Sequence, residues 1–144
     1  MSRSVMMVMV VLPMLVGCAT SPSRAVNTAV PPAHVLGLTT LERVFSSAQA
    51  GEGERLFRAS CQGCHEIREF SGIRFTIRWS GQTVGELFEV VSTTMPQGSP
   101  GSLDSEAYAA LVAFLLRLNG YPAGESTLRG DVGSLKTITI VDPE

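Results

Sequence analysis

Cys61-Gln62-Gly63-Cys64-His65 sets two thiols three positions apart, with an imidazole directly after the second. Three chemistries use such a set. A dithiol exchanges disulfides. Two thiolates and a histidine supply three of the four ligands of a structural zinc. A Cys-x-x-Cys-His run is also the attachment pattern of covalent c-type haem. The rest of the chain weighs these readings. His34 is the other histidine, and it stands in the proline-bearing stretch "AVPPAHV", which makes a poor fourth zinc ligand. A redox dithiol of the thioredoxin kind needs a strand before it and a βαβ setting, whereas this motif follows a helical pattern. The haem reading uses every group: Cys61 and Cys64 as thioethers, His65 on the iron. Dithiol exchange and zinc stay as its competitors.

Haem iron used for electron transfer commonly takes methionine as a second axial ligand. Of the six methionines, Met1, Met6, Met7, Met9 and Met14 belong to the front of the chain, and only Met95 lies beyond it. Met95 sits in "TTMPQGSPG", a proline-flanked loop where a long apolar side chain is poorly explained as core filler. The front itself opens with Arg3 and the apolar run "VMMVMVVLPMLVG", Val5 to Gly17. A dozen or so apolar residues after one positive charge read as a signal peptide, since spanning a bilayer takes ~20. The run ends in Leu15-Val16-Gly17-Cys18, which resembles the bacterial lipobox. That resemblance implies that Cys18 is diacylated and becomes the mature first residue. Two acyl chains give stable membrane attachment where one does not. Ala19 in place of an aspartate implies, by resemblance to the bacterial sorting rule, delivery to an outer membrane.

The elements that must position these groups are legible in outline. Ser46 with Gln49 three residues later reads as a capping box opening a helix to about Ala59, with Phe45 as staple. Thr83 and Glu86 form a second box, and Val84, Leu87, Phe88 and Val91 recur at helical spacing. That helix ends before Pro96 and delivers Met95 from its edge. A third runs from about Ser105 to Leu118, with Asp104 as N-cap and Asn119-Gly120 as its stop. Between His65 and Trp79, the alternation of Ile73, Phe75, Ile77 and Trp79 is ambiguous and reads as a short extended piece. The tail ends in "KTITIV", either a short strand or an arm lying over the domain. Without Arg3 the chain holds 10 basic and 13 acidic side chains, with Lys136 its one lysine. That balance argues against nucleic acid, which demands a clustered basic surface.

A helix bearing Gly53 and Phe57 that leads into CxxCH, a "TMP" loop some thirty residues later, and an aromatic-bearing last helix together resemble the class I monohaem cytochrome c family. "RWSGQTVGELFEVVSTTMPQGSPGSL" and "AFLLRLNGYPAG" are similar to cytochrome c domains that accompany periplasmic dehydrogenases. The resemblance implies an all-α fold of three to four helices around one covalently bound haem c. Cys61 and Cys64 would hold that haem, with His65 and Met95 as axial ligands of its iron. It implies that Gly53 and Phe57 meet Phe114 where first and last helices cross. It also places Trp79 near the haem propionates. Two positions depart from the family. Glu66 replaces the usual small residue after the histidine. No proline lies between His65 and Pro96, so the usual backbone carbonyl for the His65 Nδ1 proton is missing and another carbonyl must serve.

The expected organisation is a lipoprotein signal peptide (1–17), a lipid-anchored tether (18–42), a cytochrome c domain (43–124) and a C-terminal extension (125–144). His34 falls in the tether and is expected to be solvated. The expected function is one-electron transfer rather than catalysis, on the periplasmic face of a bacterial membrane. Expected partners are the membrane, through the lipid on Cys18, and redox proteins such as a periplasmic dehydrogenase and a terminal oxidase or another cytochrome. A dehydrogenase subunit, a haem ligand sensor and a thiol–disulfide exchanger are the alternatives.

Overall fold

The computed structural model describes residues 37–143. Cys18, His34 and the signal-like run lie outside the described residues. Five α-helices follow in order: α1 (Ser47–Ser60), α2 (Ile73–Trp79), α3 (Val84–Thr94), α4 (Ser105–Leu118) and α5 (Val132–Leu135). Short 3₁₀ turns at Thr40–Glu42 and Ile67–Phe70 precede α1 and α2. Among the described residues the only β-pairing is isolated bridges. The fold is all-α as expected. It has more helices than three or four because the ambiguous segment and the tail each form one.

Capping starts the three long helices where the sequence puts them. Ser46 accepts the Gln49 N–H at 3.1 Å and Asp104 accepts the Ala107 N–H at 2.8 Å. At α3 the box is complete: Thr83 Oγ1 accepts the Glu86 N–H, and the Glu86 carboxylate accepts the Thr83 N–H at 2.6 Å. At α1 it is half made. The Gln49 side chain turns away and bonds both ways to Leu128, donating at 2.7 Å and accepting at 2.9 Å. An extended tail segment with no ladder partner has unpaired backbone groups, and a side-chain amide satisfies two of them at once.

Helix α4 is the centre of the core. Every residue from Tyr108 to Leu116 is buried, so other elements cover it all round. α1 crosses it at Gly53, where an added Cβ would fall on the Ala110 carbonyl and 2.8 Å from the Phe114 Cβ. Phe57 then stacks on Phe114, ring centroids 5.5 Å apart. The expected meeting of Gly53, Phe57 and Phe114 is therefore present. Gly53→Ala forces two backbones apart, and overpacking of this kind costs about 1–3 kcal/mol, occasionally more. A urea midpoint equal to wild type would show that the helices do not approach this closely.

The segment after His65 corrects the extended reading. Residues 73–79 are helical because Phe75 and Trp79 are four apart and share one side, with Phe75 buried and Trp79 half-buried against the core. An extended piece would need a strand beside it, and none is there; the helix satisfies its own backbone instead. Gly72, at φ +64°, makes the sharp entry that a Cβ would resist. The helix leaves Ile73 and Ile77 on its outer side, 70% and 79% exposed. The tail is an arm packed on the domain. Thr139 pairs with Thr39 and Thr83, and Leu128, Leu135, Ile138 and Ile140 are buried. Each such side chain contributes roughly 1.5–3 kcal/mol of burial.

Candidate haem site

Helix α1 carries the motif off its C-terminal end. The Cys61 N–H still reaches the Phe57 carbonyl at 2.8 Å. Cys64 and His65 then both donate to the Cys61 carbonyl, at 3.1 and 2.9 Å. One tight turn thus carries both cysteines and the histidine just past the end of a helix locked onto α4. Both cysteines are free thiols, Cys61 partly covered and Cys64 exposed. Burial pushes the Cys61 thiol up from its ordinary value.

The second ligand candidate is held by a different pair of helices. Met95 is the C-cap of α3, its N–H bonded to the Val91 carbonyl at 3.0 Å. Its own carbonyl accepts from the Tyr108 hydroxyl at 2.8 Å. Tyr108 is buried in α4 and meets Phe88 edge-on at 6.2 Å. The His65 ring packs edge-on against Phe70 at 5.2 Å, Phe70 on Phe57 at 5.7 Å, and Phe57 on Phe114. Both ligand segments are therefore tied to the same helix, His65 through an aromatic chain and Met95 through a phenol hydrogen bond. Trp79 ends α2, with the Arg78 guanidinium 5.1 Å from its ring centroid.

Two expectations about this site change. The His65 Nδ1 lies 3.1 Å from the Glu69 carboxylate, so the partner is a side chain and not the backbone carbonyl expected. The loop beyond is held by Asn119, read only as a helix stop. Its amide donates to the Phe70 carbonyl and accepts from the Gly72 N–H, both at 2.8 Å. Tyr108 was legible only as one member of an apolar stripe. Nothing local marks Asn119 or Tyr108 in these roles, because each acts on a segment to which another element brings it.

Residues 48–115 match the sequence model of the family described as "Cytochrome C oxidase, cbb3-type, subunit III". The domain is cytochrome c-like. The matched stretch runs from the first turn of α1 almost to the end of α4, so every candidate ligand lies inside it. No curated protein and no solved structure matches the chain. The cytochrome c-like domain implies an electron carrier with covalently bound haem c. The residues fit such a group in their chemistry. The donor set is thiol, thiol, imidazole and thioether, each of the type haem c takes. The interval between His65 and Met95 also leaves Ile67, Ile73, Ile77 and Val90 exposed.

Proposed function

We propose that this chain is a membrane-anchored c-type cytochrome that passes one electron at a time, with Cys61 and Cys64 bonded to the haem and His65 and Met95 on its iron. The observation that carries this is the single backbone turn at the foot of α1 that holds Cys61, Cys64 and His65, with α1 packed closely on α4 at Gly53. Haem c bound there supplies an Fe(III)/Fe(II) couple. The chain's own residues do the rest. Cys61 and Cys64 would hold the haem and His65 and Met95 would hold its iron, so that neither oxidation state would need a change of coordination. Methionine ligation and apolar surroundings favour the reduced state and raise the potential. Trp79 lies at the end of the segment that follows His65, and its indole N–H is the donor proposed for a propionate. Electron transfer needs no base or nucleophile, and the proposed role is not catalytic.

The membrane part of the proposal rests on the Leu15-Val16-Gly17-Cys18 run alone. By that run, attachment is assigned to lipid on Cys18, facing the periplasm and at the outer membrane. The matched family is described as an oxidase subunit. That favours a second reading in which this chain is the cytochrome subunit of a larger redox complex, an oxidase or a periplasmic dehydrogenase. Two measurements on one detergent extract test the proposal. The wild type should show a reduced c-type spectrum and an acylated N-terminus at Cys18 by mass spectrometry. Cys18→Ser should keep the spectrum and lose partition into detergent. A colourless wild type defeats the cytochrome, and an unmodified N-terminus at another residue defeats the anchor.

A further inference from the structure

We infer that Glu69 is a positioning residue for the proximal histidine: its carboxylate accepts the His65 Nδ1 proton, sets the ring, and lowers the reduction potential of haem bound at Nε2. The inference rests on the proposed ligation by His65. With Nδ1 engaged at 3.1 Å, Nε2 is the ring nitrogen left for iron. A ligating imidazole nearly always gives its other N–H to an acceptor that fixes the ring and raises its basicity. An ionised acceptor makes a hydrogen bond roughly twice as strong as a neutral one. More proton drawn toward Glu69 means more electron density on Nε2, and that density stabilises Fe(III) over Fe(II).

The contact is built into the fold. The 3₁₀ turn Ile67–Phe70 brings Glu69 back beneath His65, closed by the Glu69 N–H on the Glu66 carbonyl at 2.9 Å. Phe70, the next residue, holds the imidazole by its ring and is itself held to α4 by Asn119. The neighbouring acid, Glu66, is turned to Arg68 at 2.6 Å and does not touch the ring. Glu66 therefore offers an internal comparison: the same charge, next to His65 in sequence, with no bond to it. The His65 and Glu69 side chains are 30% and 49% exposed, so solvent weakens the effect without removing it.

The test uses the full-length haem-loaded protein as wild type, Glu69→Gln and Glu66→Gln. Midpoint potentials come from spectroelectrochemical titration. Covalent haem is checked in each sample by retention in acid–acetone. Glu69→Gln should shift the ferrous/ferric equilibrium about tenfold toward ferrous, a rise of ~59 mV for one electron. Glu66→Gln should move it by well under half as much. Proton NMR of the ferrous protein should show the His65 Nδ1 proton exchanging faster with solvent in Glu69→Gln, which a purely structural role would not require. Unchanged potential in haem-loaded Glu69→Gln, or equal shifts in both variants, overturns the pair while leaving the ligation intact. A wild type without covalent haem overturns the ligation, and the pair falls with it.

Discussion

Replacing both Cys61 and Cys64 by alanine should leave almost no haem-bearing protein, and the chain that remains should be largely unfolded. Thioether bonds are what would keep the haem through denaturation, and the double variant has neither. The folding consequence follows from where apolar surface lies. Ile67, Ile73, Ile77 and Val90 are uncovered by protein in the interval between the ligand candidates, and binding of a group to the native state alone adds directly to stability. The segment from His65 to α2 is tied to the remainder mainly through Phe70 and Asn119. Without haem it has little else to hold it. A single cysteine variant keeps one bond and should give a reduced yield of covalent holoprotein. The check is haem staining on a denaturing gel, acid–acetone extraction, and the helical circular dichroism of each variant. Free extraction of haem from wild type, or wild-type staining of the double variant, would end the reading.

Local signals carried the long helices and long-range ones were invisible. Asp104 and Thr83 cap α4 and α3 through contacts only three residues long, so a reader of the sequence meets both partners together. The ambiguity of residues 73–79 has a similar local cause. Arginines interleaved at 74 and 78 create a period of two, while Phe75 and Trp79 also satisfy a helical spacing, and a window of seven cannot separate the two. Only burial of Phe75 with exposure of Ile73 and Ile77 decides it. The Gln49–Leu128 pair, the Asn119 clasp on Phe70 and the Tyr108 bond to Met95 join residues 79, 49 and 13 positions apart. No pattern along the chain announces them. Glu69 is different: it stands four residues from His65, and the missing proline between His65 and Pro96 was the signal that some other acceptor had to be found.

Met95→Ala should keep covalent haem and lose the axial thioether, and the geometry makes this a clean substitution. The backbone of Met95 is held independently of its side chain, by its N–H on Val91 and its carbonyl on the Tyr108 hydroxyl. The loop should therefore stay in place when the side chain goes. Three changes are expected together. The ferric sulfur-to-iron charge-transfer band disappears. Cyanide and carbon monoxide bind without first displacing a protein ligand. The reduction potential falls, because a neutral sulfur that favours Fe(II) has been removed. This fall is opposite in sign to the rise expected for Glu69→Gln, so the two variants separate distal from proximal control of one couple. His34 is a possible substitute ligand, so the double variant with His34→Ala accompanies the single one. If wild type lacks the band, or if Met95→Ala leaves both band and potential where they were, Met95 is not the ligand, and His34→Ala in the wild-type background becomes the deciding measurement.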